Sequence, residues 1–559
     1  MLAGVLAVAV SSQAGAQGAP PSQASLSPMQ FGCSGDGRKD DTACVQAAID
    51  AAAARGLALE FDAAHLYRIS STLRVARPVA LHGPYRYGIW AVDQPSGHGP
   101  KDCPWGLIAR GAGITMLRIS AVTATVDGLC IDMTGDGGAS NPAAGAAIAL
   151  GPADANTYQA AVRIEHNTIL YPYDGITVDG AGYSAGCCGA GTTADGNLIG
   201  WNTIVDPAHA GISNGRLTAS AASSGNSYWD NSIVCANAAS KGAGIGFVLY
   251  DGDIDYDGTT NGPEGCHIGF ALVPGDVEGH PQNVGGNFAG VLGDQSGLHD
   301  LLMQPRTPRG TVDFFECVNC WAGATGDVNS ILIDGASRGG SMQEISFINL
   351  NAHGGDGLAR PIVDIEAGAG GPYDLSIVGS NICEFGTPAA GASALKLDLA
   401  SPASGRYVIN GNRLGTGCPG RALPTGIALS IRGGVSAFLT FVGNDLSAVD
   451  EPVSYRPNPG DRVMFANNMG LDGGGNYSEY ASAPTVALRN ADQNIIVTGS
   501  ATITTLANPW AGRRVEMLSR DGFALGPGGD LCVTSKLSVA PGRAVTAIWA
   551  NGATCWAMH

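Results

Sequence analysis

Val162-Arg163-Ile164-Glu165-His166-Asn167-Thr168-Ile169, followed by Asp174-Gly175-Ile176, returns as Asn197-Leu198-Ile199-Gly200-Trp201-Asn202-Thr203-Ile204, followed by Ala210-Gly211-Ile212. The asparagines Asn167 and Asn202 are 35 positions apart. Each copy reads as a short strand of alternating apolar residues, a turn carrying Asn, a second short strand, a further turn, and a Gly-Ile that opens a third strand. The same grammar recurs around Asn231, 29 positions after Asn202, and around Asn381, Asn412 and Asn444, at steps of 31 and 32, with a weaker copy at Asn467-Asn468. A unit of that length cannot bury its apolar face alone, so the units must stack as parallel coils. Asn suits the bend because it tolerates left-handed backbone and bonds its own neighbours. A β-sandwich with Asn-Gly hairpins competes with this reading, but its turns would recur at closer spacing.

The chain has 559 residues, 83 of them Gly, and only 14% are charged. That composition fits many turns around a continuous core and argues against disorder. The net charge is −18, from 30 basic against 48 acidic residues. Only five of the basic residues are Lys. No basic footprint for nucleic acid is visible. Residues 1–16 read as a signal peptide: the apolar run Leu2–Val10 precedes Ala14-Gly15-Ala16, a small-residue cleavage site, although the basic start of such a segment is missing. The run is too short to span a bilayer, and no later segment reads as transmembrane. Fourteen Cys fit an oxidising, secreted or periplasmic compartment. Cys33 with Cys44 is a candidate loop closure, Cys187-Cys188 is a vicinal pair, and Cys532 and Cys555 sit in the tail. Cys317-x-x-Cys320 reads as a disulfide or buried thiols, since no second metal-binding pair follows it.

Residues 17–30 read as a linker. Gly35-Asp36-Gly37-Arg38-Lys39-Asp40-Asp41-Thr42 is a turn-rich loop, and Ala43–Ala52 has apolar residues at helical spacing, with Asp41 and Thr42 as cap candidates and Gly56 as stop. A helix here would plug the open end of the stack. This stretch resembles the opening signature of the pectate lyase superfamily, GDGxxDDTxAxQxAIDAA, the right-handed β-helix group that includes polygalacturonases and many tailspike depolymerases. Phe61-Asp62-Ala63-Ala64-His65-Leu66-Tyr67 stands where that family continues with Phe-Pro-Ala-Gly-x-Tyr. The likeness is strong over the cap and loose over the coils to about residue 470. It implies fold and a polysaccharide substrate; Asp40 and Asp41 read as structural, capping the helix and bonding turn amides. The expected architecture is all-β: a right-handed parallel β-helix over residues 31–482, an N-terminal capping helix, and a small C-terminal antiparallel β-domain over 483–559. That last unit resembles terminal modules of some depolymerases, which raises a homotrimer as an expectation.

Stacked coils bring equivalent positions to about 4.8 Å. Asp174 follows Asn167, and His209 follows Asn202, by seven positions; aligning on Gly-Ile instead pairs Tyr173 with His209. Asp179 follows the same strand, and Asp251 ends the comparable run Gly244–Tyr250. Asp174, Asp179 and Asp251 are candidate acid–base residues for a glycosidic bond, with His209 orienting, because hydrolysis needs one protonated and one ionised carboxyl. Each Asp has a plain alternative as a turn residue. Elimination beside a uronate needs a base and a cation, for which Lys241 and Arg216 are the candidates. Asp253-x-Asp255-x-Asp257-Gly258, ending at Glu264, fits the spacing of a helix-free calcium loop, with a solvated acidic loop as the alternative; Pro263 and Gly-rich flanks argue against an ordinary two-helix EF-hand. Trp90 and Trp105 are candidate sugar-stacking residues or buried packing. The ordered polygalacturonase motifs are not found; Gly97-His98-Gly99 stands alone. The expected function is cleavage of a polysaccharide, by hydrolysis ahead of elimination, with a noncatalytic glycan-binding protein as the alternative of a different class.

Overall fold

The computed structural model describes residues 25–559 apart from 85–101, 111–112, 135–144, 152–158, 180–193, 216–224, 260–261, 278–279, 326, 338, 356, 385–386, 390, 416–422, 433–434, 448, 450, 456–461, 471–477, 489–493, 508, 510–512 and 551–552. The expected signal peptide, Trp90, Gly97-His98-Gly99, Cys187-Cys188 and Arg216 lie outside the described residues.

Each coil lays one strand on each of three faces. In one coil these are Arg163–Glu165, Thr168–Leu170 and Asp174–Val178; in the next they are Leu198–Gly200, Thr203–Val205 and Ala210–Asn214. The rungs between these two coils are parallel and in register: Arg163 opposes Leu198, Thr168 opposes Thr203, and Asp174 opposes Ala210. The third face is a 13-stranded sheet running from Leu73–Val75 to Glu451–Tyr455, and the first two faces belong to one 25-stranded sheet. This is the expected parallel β-helix; crossovers between parallel strands wind right-handed.

Alternation decides what points inward. Ile164, Ile199 and Tyr228 on the first face, Ile169, Ile204 and Ile233 on the second, and Ile176, Ile212 and Phe247 on the third are all buried in one core. Phe247 and Phe270 stack at 4.6 Å, and Phe288 and Phe315 follow at 4.5 Å between ring centroids. The Asn turn between first and second faces holds a ladder. Asn202 donates its side-chain amide to the Ile164 carbonyl and to the Asn231 side chain, both at 2.9 Å. Asn412, Asn444 and Asn468 repeat the pattern further on. The residue before each of these ladder positions has positive φ: Gly411, Gly443 and Asn467 in late coils, and His166, Trp201 and Asp230 in early ones.

The helix Thr42–Arg55 buries Val45, Ala48, Ile49 and Ala52 and stops at Gly56, whose φ is 64°. The Cys33–Cys44 disulfide ties it to the preceding loop. The Asp41 carboxylate does not cap the helix; it accepts from the turn amides of Ser34 and Gly35. Asp40 instead takes the Thr42 amide at 3.1 Å. Cys317–Cys320 and Cys532–Cys555 are disulfides, and Cys235–Cys266 links neighbouring coils.

A second core runs from Val486 to Trp556. The C-terminal unit is not purely antiparallel as expected. Ser478–Ala481, Asn494–Thr498 and Arg514–Ser519 pair in parallel, and only then does Ala544–Ile548 return antiparallel. Its strands are short and alternating like those of the coils, so composition alone did not separate the two senses. Ser478–Ala481 pairs within this unit, so the unit reaches back past residue 483.

Candidate functional site

The expected residues fall into two groups. Asp174 and His209 meet on the third face, with the His209 Nδ1 2.7 Å from the Asp174 carboxylate. The backbone register is the Gly-Ile one, so the Tyr173 and His209 rings also stack, at 5.2 Å. The hydrogen bond that His209 donates to the Asp174 carboxylate raises the His209 pKa against the opposing effect of burial. Tyr250, beside the Arg306 guanidinium at 5.0 Å, is pushed up to about 12 by burial.

Asp179 and Asp251 lie beyond the other end of the third-face strands. Asp179 is 1% exposed, with the Arg118 guanidinium at 3.5 Å and the Thr177 hydroxyl at 3.4 Å. Asp251 is buried and accepts from the amides of Gly252 and Asn283, at 3.1 and 3.0 Å. Burial pushes its carboxyl up to about 7 despite those two bonds. The four residues therefore do not form one constellation. Lys241 is exposed in the short helix Ala238–Ala243.

The acidic run is a strand, Gly252–Gly258, and not a loop. Ile254 and Tyr256 point into the core, so Asp253, Asp255 and Asp257 project outward at alternate positions, about 6–7 Å apart along the strand. Glu264 lies on the second-face strand Pro263–Glu264. Carboxylates spread along an extended strand cannot encircle one cation, so these residues do not fit the expected calcium loop. The inward Ile254 and Tyr256 were the period-two signal that distinguishes the two readings.

The same strand forms one wall of a groove on the first face. The groove holds about 560 Å³ and is lined by Asp253, Asp255, Asn287, Asp313, Phe314 and Glu344, among others. Two irregularities shape it. Val284 opposes Val312, but Gly286 opposes Phe315, so Asp313 and Phe314 share the space of one rung position. Phe314 and Glu344, in adjacent coils, both have positive φ, 57° and 50°. A bulky residue in that region is strained and turns outward where a regular strand would not aim it. Phe314 is 45% exposed.

Gly285 makes the approach possible. A Cβ there would lie 2.1 Å from the Asp313 carbonyl oxygen and 2.9 Å from the Asp253 carboxylate. Asp253 is thus one rung before the glycine and Asp313 one rung after it. Burial, and then the Asp313 charge, raise the Asp253 pKa. Asn287 donates to Asp255 at 3.1 Å. The groove lining combines a carboxyl whose pKa is raised with a second carboxylate close enough to contribute to that rise, the combination that acid–base cleavage draws on.

Asp313, Phe314 and Glu344 were not singled out from sequence, yet a signal was there. Inward residues fall at Val312, Phe315 and Cys317, and at Met342, Ile345 and Phe347. Each set has one step of three where a plain strand keeps two, the mark of an inserted residue.

No protein-family model matches the chain, and no curated protein matches it. Among solved structures, it is similar to the A-module of the Azotobacter vinelandii mannuronan C-5 epimerase AlgE4, with 16% identity and a TM-score of 0.44 over 79% of this chain and 99% of that one. It is also similar to the Dettilon tailspike protein, with 13% identity and a TM-score of 0.39 over 94% and 77% of the two chains. A third is the catalytic unit of the GH87 alpha-1,3-glucanase of Streptomyces thermodiastaticus strain HF3-3, with 14% identity and a TM-score of 0.37 over 72% and 70%.

Proposed function

We propose that the protein is a polysaccharide hydrolase whose reaction takes place in the first-face groove. The observation that carries the reading is the pair Asp253 and Asp313 on either side of Gly285. Asp253, held up by burial and by its neighbour's charge, acts as the acid that protonates the leaving glycosidic oxygen. Asp313 is the base that takes a proton from the attacking water. The bond from the anomeric carbon to the bridging oxygen breaks, and water supplies a hydroxyl to one fragment and a proton to the other. Two rungs separate the backbones of these residues by about 10 Å, and the Asp253 carboxylate lies over the glycine between them. That geometry suits inversion, which needs about 6.5–9.5 Å for an intervening water, over retention at about 5–5.5 Å. Phe314 offers an exposed ring against which a sugar can stack.

The superfamily signature at Gly35–Ala52 supports the substrate class. The disulfides support action in an oxidising compartment. A second reading puts proton transfer at Asp174 and His209 and is favoured by their 2.7 Å contact. Digestion of a polysaccharide panel separates these readings: the groove variants Asp253→Asn and Asp313→Asn lose turnover under the first, and Asp174→Asn loses it under the second.

A further inference from the structure

One indole stands on the same face as the groove and a second at the turn that ends that face, both in earlier coils. Trp229 ends the strand Asn226–Trp229, is 46% exposed, and lies in register with Asp257 of the groove-wall strand. Trp201 is 37% exposed and meets it edge to face, with centroids 6.1 Å apart. His166 stacks on Trp201 at 5.4 Å with the planes 9° apart, and its Nδ1 is 3.0 Å from Asp127. Arg163 is paired with Glu165 one strand away. The aromatic surface is therefore bordered by charged and hydrogen-bonding groups.

The backbone adds an independent pointer. Trp201 has a φ of 55° at the turn position that Gly411 and Gly443 fill in later coils. A Cβ at Gly411 would meet nothing within 4 Å, so crowding does not choose the residue there. A large β-carbon-bearing residue costs about 1 kcal/mol or more in that conformation. Trp201 lies outside the buried core, and its ring packs against His166 and Trp229 on the partly exposed surface, so the strain is not offset by core packing.

We propose that Trp201 and Trp229 form a glycan-stacking platform that holds sugar units of the polysaccharide outside the groove. The class of ligand follows from the surface. The apolar faces of sugar rings cover indoles, and their hydroxyls need the polar border, whereas a protein partner would demand a larger apolar patch. Continuity with the groove wall through Trp229 and Asp257 gives one chain access to both. The platform rests on the glycan reading of the groove but not on hydrolysis there.

The test uses the full chain and native gels cast with a neutral β-glucan, a xylan, polygalacturonate or alginate. The Asp253→Asn/Asp313→Asn protein should be retarded in at least one gel, and adding Trp201→Ala and Trp229→Ala should weaken that retention at least tenfold at unchanged melting temperature. Trp201→Gly should lose retention while keeping or raising the melting temperature. Equal retention with and without the indoles overturns the platform, as does a panel in which no gel retards the protein, or a change in oligomeric mass caused by the Trp substitutions. Trp-dependent retention in a wild-type protein that releases no sugar ends supports the platform and removes the hydrolase reading alone.

Discussion

Asn167 donates its side-chain amide to the side-chain oxygen of Asn202, 3.0 Å away in the next coil. The same oxygen takes the Asn167 backbone amide at 3.0 Å, and the Asn202 amide passes the pattern on to Asn231. All three side chains are buried, so each bond replaces water that cannot reach the turn. Removing one rung leaves several polar groups unsatisfied at about 1–3 kcal/mol each. Asn202→Leu should therefore destabilise the chain by about 3 kcal/mol or more in denaturant unfolding. A loss under about 1 kcal/mol would mean that the ladder contributes little beyond turn shape.

Asp174 should set the charge state of His209. The hydrogen bond raises the imidazole above its ordinary 6.5. A raised histidine stabilises the fold fully below the unfolded value of about 6.5 and loses that contribution as pH rises through the folded value. The His209 ring should titrate above 6.5 by NMR in the wild type, and lower in Asp174→Asn. Identical titration in the two proteins would show that the contact does not form in solution.

Asp251 gives the opposite kind of carboxylate from a salt-bridged one. Burial raises it from 3.8 to about 7, so the folded state holds its proton where the unfolded chain has lost it. Its contribution is complete below about pH 4 and disappears as pH rises to about 7 and beyond. Asp251→Asn keeps an acceptor oxygen for the Gly252 and Asn283 amides and has no proton to lose. Relative to wild type, its melting temperature should be higher at pH 8 than at pH 5. A difference independent of pH would place the carboxyl in contact with water.

The coil was legible because its determinants are local and repeated. Asn167, Asn202 and Asn231 each report one turn, and the helix Thr42–Arg55 carries its own stop at Gly56. The meeting of Asp174 with His209 also follows from spacing, since stacked coils turn a step of 35 into neighbours. The groove was not legible in the same way. Asp253, Asp313 and Glu344 come from different coils, and their alignment depends on an extra residue at Phe314. The acidic run misled for a related reason: a ligand spacing written for a loop is also satisfied by one face of a strand. In the C-terminal unit, short alternating strands report neither parallel nor antiparallel pairing.

The most direct measurement is of the ends released from a polysaccharide panel by wild type, Asp253→Asn and Asp313→Asn. Wild type should release new reducing ends of inverted anomeric configuration and no unsaturated ends, and each variant should lose turnover by about 10²–10⁴-fold at unchanged melting temperature. Unsaturated ends from wild type, or undiminished turnover in both variants, would contradict hydrolysis in the groove.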